Sequence, residues 1–253
     1  MIFKKLRFLN ADFLKLLAAA LMLIDHIGMI FINQFDIQTY WILRKIGRVS
    51  MPLFAFAIAE GCRYTRNKTA HFCLLCGLGL ICFFVYAIAL NQIYYNILIT
   101  FSFSVAIIYA LQFMKVSLCE KQGETWRKIC SPLLFIGAIA LTYLFCYYNE
   151  VDYGFWGCML PVFAALFDFR RVPAPNILQK TDILSLRVLT MAIGLIFLVY
   201  NTTFPPKISA WSLLSIPILL LYSGKKGKWK LKYFFYLFYP LHLVLLEGLL
   251  WIL

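Results

Sequence analysis

Acidic residues are scarce in this chain. Asp and Glu number 11 among 253 residues, against 24 Lys and Arg, and only 14% of the chain is charged. Histidine is scarcer still, with three residues. Several catalytic signatures are missing: there is no GxSxG elbow, no HExxH pair and no glycine-rich phosphate loop. Nucleophile-elbow hydrolase, zinc-protease and P-loop chemistry therefore have no motif to rest on. No internal repeat and no low-complexity tract is evident, and no gap between the apolar runs is long enough for a soluble domain. The eight Cys lie mostly within apolar runs. Cys73 and Cys76 form a CxxC without a second pair, so they read as small buried thiols, and no metal is expected.

Apolar surface is what the chain has in abundance. It is 63% hydrophobic, with a mean hydropathy of +0.81, where a soluble domain is about half apolar and a quarter charged. The apolar residues gather in nine runs, at 13–33, 46–62, 72–91, 94–114, 129–148, 153–169, 184–201, 208–223 and 233–253. This pattern predicts an all-α polytopic membrane bundle of nine transmembrane helices in a single domain over 1–253. The first run is too long for a cleaved signal peptide and has no small-residue cleavage site.

A net charge of +13 suggests nucleic acid in a soluble chain. Here the positive-inside rule accounts for it, and no nucleic-acid partner is expected. With the N-terminus in the cytoplasm, most cations fall in cytoplasmic segments, among them Lys4, Lys5, Lys121 and Lys230. Arg44, Lys45, Arg48 and Lys207 fall on the other side. The expected topology is N-terminus in and C-terminus out, with membrane lipids as partners. The Lys-rich loop 225–232 also suits anionic headgroups.

The chain is organised around DFLKLLAAALMLIDH, Asp12 to His26. Lys15 and His26 are about eleven residues, or about three helical turns, apart, so they share a face at a separation of roughly 16 Å along the axis. One face thus offers a cation near one surface and an imidazole near mid-membrane. The alternative is a signal anchor whose Lys snorkels and whose His is satisfied by a neighbour. Asp25 points about 100° away from His26, so it suits pairing with an Arg of the second apolar segment. That segment opens with RKIGRVSMP and is short, which places Arg48 at or below the outer interface. A charge at such depth is a functional candidate, with headgroup binding as the alternative. Next comes EGCRYTRNK, where Glu60 precedes Arg63, Arg66 and Lys68. These cations read either as topogenic charge or as a phosphate-binding patch. In the last segment Tyr239, His242 and Glu247 stand at depth; His242 also reads as a neutral, hydrogen-bonded bundle residue. A histidine of near-neutral pKa is suited to take a proton from a nucleophile and return it to a leaving group.

DFLKLLAAALMLIDHIG, LRKIGRVSMPLFAFAIAEGCRYTRN and KYFFYLFYPLHLVLL together resemble the TraX family, typified by the membrane protein that N-acetylates the pilin of conjugative plasmids. NILITF and VDYGFWG add local matches. More distantly, the first motif resembles the transmembrane acyltransferases that acetylate cell-surface polysaccharides, although Lys15 stands where those more often have Arg. The resemblance implies an acetyltransferase of the bacterial cytoplasmic membrane that takes acetyl-CoA from the cytoplasm. It implies Lys15, Arg63 and Arg66 on the CoA phosphates and His26 as general base. Asp25 and Arg48 complete the catalytic set. Arg44, Glu60, Tyr239 and His242 fall on the acceptor side. The acceptor it implies is a pilin-like N-terminus, with an amino sugar or glycan hydroxyl as alternatives. Two readings compete: a proton-coupled transporter using Asp25, His26 and His242 as a relay, and a non-catalytic scaffold.

Overall fold

The computed structural model describes residues 7–89, 93–120, 124–202, 206–229 and 232–252; Lys4, Lys5, Lys121 and Lys230 lie outside them. The fold is all-α, with no strand among the described residues. The principal helices are α1 (Ala11–Ile30), α2 (Ile37–Gly47), α3 (Ser50–Tyr64), α4 (Lys68–Ala89), α5 (Ile97–Cys119), α6 (Thr125–Tyr148), α7 (Gly154–Ala165), α8 (Leu184–Asn201) and α9 (Lys232–Ile252). Short helical turns occupy Asn176–Lys180, Pro206–Ser209, Ala210–Leu214 and Ser215–Leu220.

Among the described residues five helices, α1, α4, α5, α6 and α8, are long and apolar enough to cross a membrane. The apolar runs at 46–62, 153–169 and 208–223 form shorter helical pieces than their hydropathy suggests. Two of these shorter helices have identifiable stops. α3 begins only at Ser50, with Pro52 in its first turn, where a missing N–H costs little. α7 starts at Gly154, where the φ values of 61° at Tyr153 and 57° at Gly154 turn the chain sharply from α6.

The chain divides into two compact units, one of residues 1–57 and 199–253 and the other of residues 58–198. In the first, α1 packs on α2 and on α9. Glycines set the α1–α2 approach: a Cβ on Gly28 would lie 2.9 Å from Cβ of Leu43, and one on Gly47 would overlap the Asp25 side chain. Asp36 caps α2, accepting from the backbone N–H of Gln38 and Thr39 and from the Thr39 hydroxyl. α1 and α9 run in the same direction, since Lys15 meets Phe235 and His26 meets His242. The entry to α1 is tied to the segment before α9: Leu9 pairs with Leu221 and Ser223, and Asp12 accepts from the Trp229 N–H at 2.8 Å.

In the second unit α5 is central and packs on α4, α6 and α7. Its apolar residues surround the whole helix, as burial on all sides requires. α4 and α6 are mostly peripheral. Cys73, on the outer face of α4, is exposed and Cys76 half-buried, which corrects the expectation of two buried thiols. Both sit on a single peripheral helix whose outer side no neighbour covers there.

Candidate functional site

α1 delivers Asp25 and His26 about 100° apart, as neighbours on a helix are. Asp25 is buried and faces α2. Arg44 Nη1 donates to its Oδ2 at 2.7 Å and to its backbone carbonyl at 3.1 Å. Arg48 Nη2 donates to the same Oδ2 at 2.5 Å. Residues four apart stand one above the other on a helical path, which is why Arg44 and Arg48 reach one oxygen. The expected pairing of Asp25 with an arginine is thus present, with two partners in place of one. Oδ1 is buried and accepts no hydrogen bond among the described residues; it packs against Gly47, where only glycine leaves room.

His26 turns to α9. Its Nδ1 lies 3.1 Å from His242 Nε2, with ring centroids 4.9 Å apart. His242 Nδ1 lies 2.7 Å from the Phe238 carbonyl oxygen. The Phe238 ring stacks on His242 at 4.8 Å and 7°, and Tyr239 meets it edge-on at 5.7 Å. Lys15, lower on the same face of α1, holds its ammonium 5.8 Å from the Phe235 ring centroid. Lys15 and His26 therefore do share the face that α9 covers. His242, assigned by the sequence reading to the acceptor, is in contact with His26 itself.

Glu60, Arg63 and Arg66 belong to the second unit. Glu60 is buried and pairs with Arg187 at 2.6 Å. Arg63 Nη1 lies between Asp168 at 2.7 Å and Asp182 at 2.6 Å. Lys115 spends all three ammonium protons on the carbonyls of Ala165, Leu166 and Asp168, at 3.0, 2.8 and 3.1 Å. It thereby satisfies backbone left open at the C-terminal end of α7. Arg187 Nε adds a bond to the Ala164 carbonyl at 3.1 Å. Three cations and three carboxylates balance, so Arg63 and Glu60 already have partners of opposite charge within their own unit. Arg66 is exposed. Near it Arg170 stacks on Tyr64 at 4.3 Å, and Arg171 donates to the carbonyls of Tyr64 and Thr65.

Sequence reasoning takes Lys115 and Arg187 as topogenic cations and assigns no role to Asp168 and Asp182. A faint signal existed: Lys115 directly follows an apolar run and Arg187 stands inside one.

No solved structure matches this chain. A curated relative, the probable fimbrial assembly protein FimC, serogroup H1, of Dichelobacter nodosus, is 28% identical over 251 residues, covering 94% of this chain and 96% of the relative. The family model described as TraX protein matches residues 10–250. With its whole helical span matched, the chain belongs to the TraX family.

Proposed function

We propose that this protein is a membrane-embedded acetyltransferase that moves an acetyl group from acetyl-CoA to an amine or hydroxyl acceptor. One observation carries the reading. At residues 25 and 26 an imidazole held by a second imidazole adjoins a carboxylate that fixes two arginines. His26 takes the proton of a neutral amine or hydroxyl as that group attacks the thioester carbonyl carbon. The carbonyl electrons move to oxygen, and the guanidinium donors of Arg44 and Arg48 favour that oxyanion. Collapse breaks the C–S bond, and the proton on His26 passes to the thiolate, giving acetylated acceptor and free CoA thiol.

Lys15, roughly 16 Å below His26 along α1, suits a phosphate contact at the far end of an extended pantetheine arm. Arg63, already paired with Asp168 and Asp182, is the weaker phosphate candidate. The printed name of the Dichelobacter nodosus relative concerns fimbrial assembly. On that footing the acceptor proposed is the terminal amine of a pilin-like subunit, with an amino sugar second.

The test needs no acceptor. Acetyl-CoA is titrated against the purified protein while thermal stability is followed, beside Lys15→Ala and His26→Ala. A ligand that binds only the folded state adds about 2.7 kcal/mol at a hundredfold excess over Kd. A saturable rise, lost in Lys15→Ala and kept in His26→Ala, is expected. No rise up to millimolar acetyl-CoA overturns the reading.

The His26–His242 contact also favours a proton relay in a transporter. Proton-coupled uptake into proteoliposomes would support that second reading; CoA-dependent thiol release supports the first.

A further inference from the structure

The hydrogen bonds around the two histidines determine where their protons lie. His242 Nδ1 is 2.7 Å from the carbonyl oxygen of Phe238. A carbonyl oxygen only accepts, so Nδ1 of His242 carries a proton. In a neutral imidazole the other nitrogen is then an acceptor, and Nε2 of His242 presents its lone pair. That lone pair faces His26 Nδ1 at 3.1 Å. The bond needs one proton, and it must come from His26. His26 therefore holds its proton on Nδ1 and its lone pair on Nε2, the nitrogen turned away from His242.

We propose that His242 is a positioning residue that locks His26 in the Nδ1–H tautomer and so makes Nε2 of His26 the base nitrogen. The role in transfer rests on the reading of His26 as general base. Asp25 is not placed to do this. It leaves α1 in another direction and its Oδ2 is taken by Arg44 and Arg48. In serine proteases a carboxylate orients the histidine; here a neutral imidazole takes that place. His242 suits the task because little about it is free to move. It is buried, its ring is stacked on Phe238 and flanked by Tyr239, and its Nδ1 is anchored to its own helix. When His26 accepts a proton at Nε2, its Nδ1–H stays bonded to His242, so the ring keeps its orientation through the transfer.

The test is nitrogen-15 NMR of the full-length protein in detergent, labelled at histidine. It is recorded at about pH 8, above the ordinary imidazole pKa of about 6.5. Single substitutions distinguish the three histidines. The expected result is a protonated Nδ1 and a bare Nε2 at His26. His242→Gln, whose amide oxygen can stand where Nε2 stood, keeps that state. His242→Leu removes the acceptor and moves the His26 proton towards Nε2. A proton on Nε2 in the wild type overturns the proposal, and so does an Nδ1–H form that persists in His242→Leu. If His242→Leu does not fold, the wild-type spectrum decides alone. In acetyl transfer, His242→Leu is expected to lower kcat by about 10²-fold or more with KM for acetyl-CoA unchanged, and His242→Gln to recover most of the loss. The spectrum requires neither acetyl-CoA nor acceptor. A chain with the expected tautomer and no acetyl transfer therefore overturns the proposed function while upholding the proton's placement.

Discussion

In one unit two guanidinium groups share a single carboxylate oxygen beside a pair of imidazoles. In the other, Arg63, Lys115 and Arg187 meet Glu60, Asp168, Asp182 and a set of backbone carbonyls. Both groups are buried, and both draw on side chains from separate stretches of sequence. They differ in composition. Burying a charge is costly unless it is matched. The second group sets three cations against three carboxylates and acts as a clasp that fastens α3, α7 and α8 to the segment around Asp182. The first sets an imidazole pair beside its guanidinium groups, and a titratable base is what the proposed chemistry needs. Depth alone did not separate the two; the imidazole pair did.

The comparison predicts a separation of effects. His26→Ala is expected to lower acetyl transfer by about 10²- to 10⁴-fold, the usual contribution of a general base, with little change in Tm. A retained rate removes His26 from the chemistry. Arg63→Ala is expected to do the reverse. It strands two buried carboxylates, a loss of about 3–5 kcal/mol in folding stability, while the folded fraction binds acetyl-CoA normally. Weakened acetyl-CoA binding at unchanged Tm would break the contrast between the units. Lys15→Ala is expected to leave Tm in place and to weaken acetyl-CoA by about 1.5–3 kcal/mol, the worth of one charge-assisted hydrogen bond; isothermal titration reads it directly.

The smallest effect expected is at the cap of α2. Asp36→Ala lowers Tm slightly through the helix that carries Arg44. The Thr39 hydroxyl holds the Asp36 carboxyl below its usual range. Its folded pKa is thus lower than its unfolded one of about 3.9. The stabilisation is complete above that unfolded value and is lost as pH falls through the folded one. A Tm difference between wild type and Asp36→Ala that closes on acidification below about pH 4 is the expected signature.

Much of the first unit was legible because its signals are local. The shared face of Lys15 and His26, and the divergence of Asp25 from His26, follow from helix period alone. The density of RKIGRVSMP pointed to arginines at depth. What stayed hidden was α2 as a separate helix, because its cations looked like a loop and its cap, Asp36, precedes only a weakly apolar pattern. Also hidden were contacts made across long sequence separations, such as His26 with His242, and Arg63 with Asp168 and Asp182. A pairing of that kind leaves no periodic trace in either segment. The apolar runs, likewise, marked where helices lie but not how long each would be, because Pro, Gly and charged residues shorten them locally.

The contact between α1 and α9 has a consequence in time. His242 is made 216 residues after His26. At about 5–20 residues per second the two are separated by about 10–40 s of translation. During that interval the first helix has its aspartate and its arginines but no second imidazole. The pair of imidazoles is assembled only once α9 arrives, long after Asp25 and its two arginines have been made.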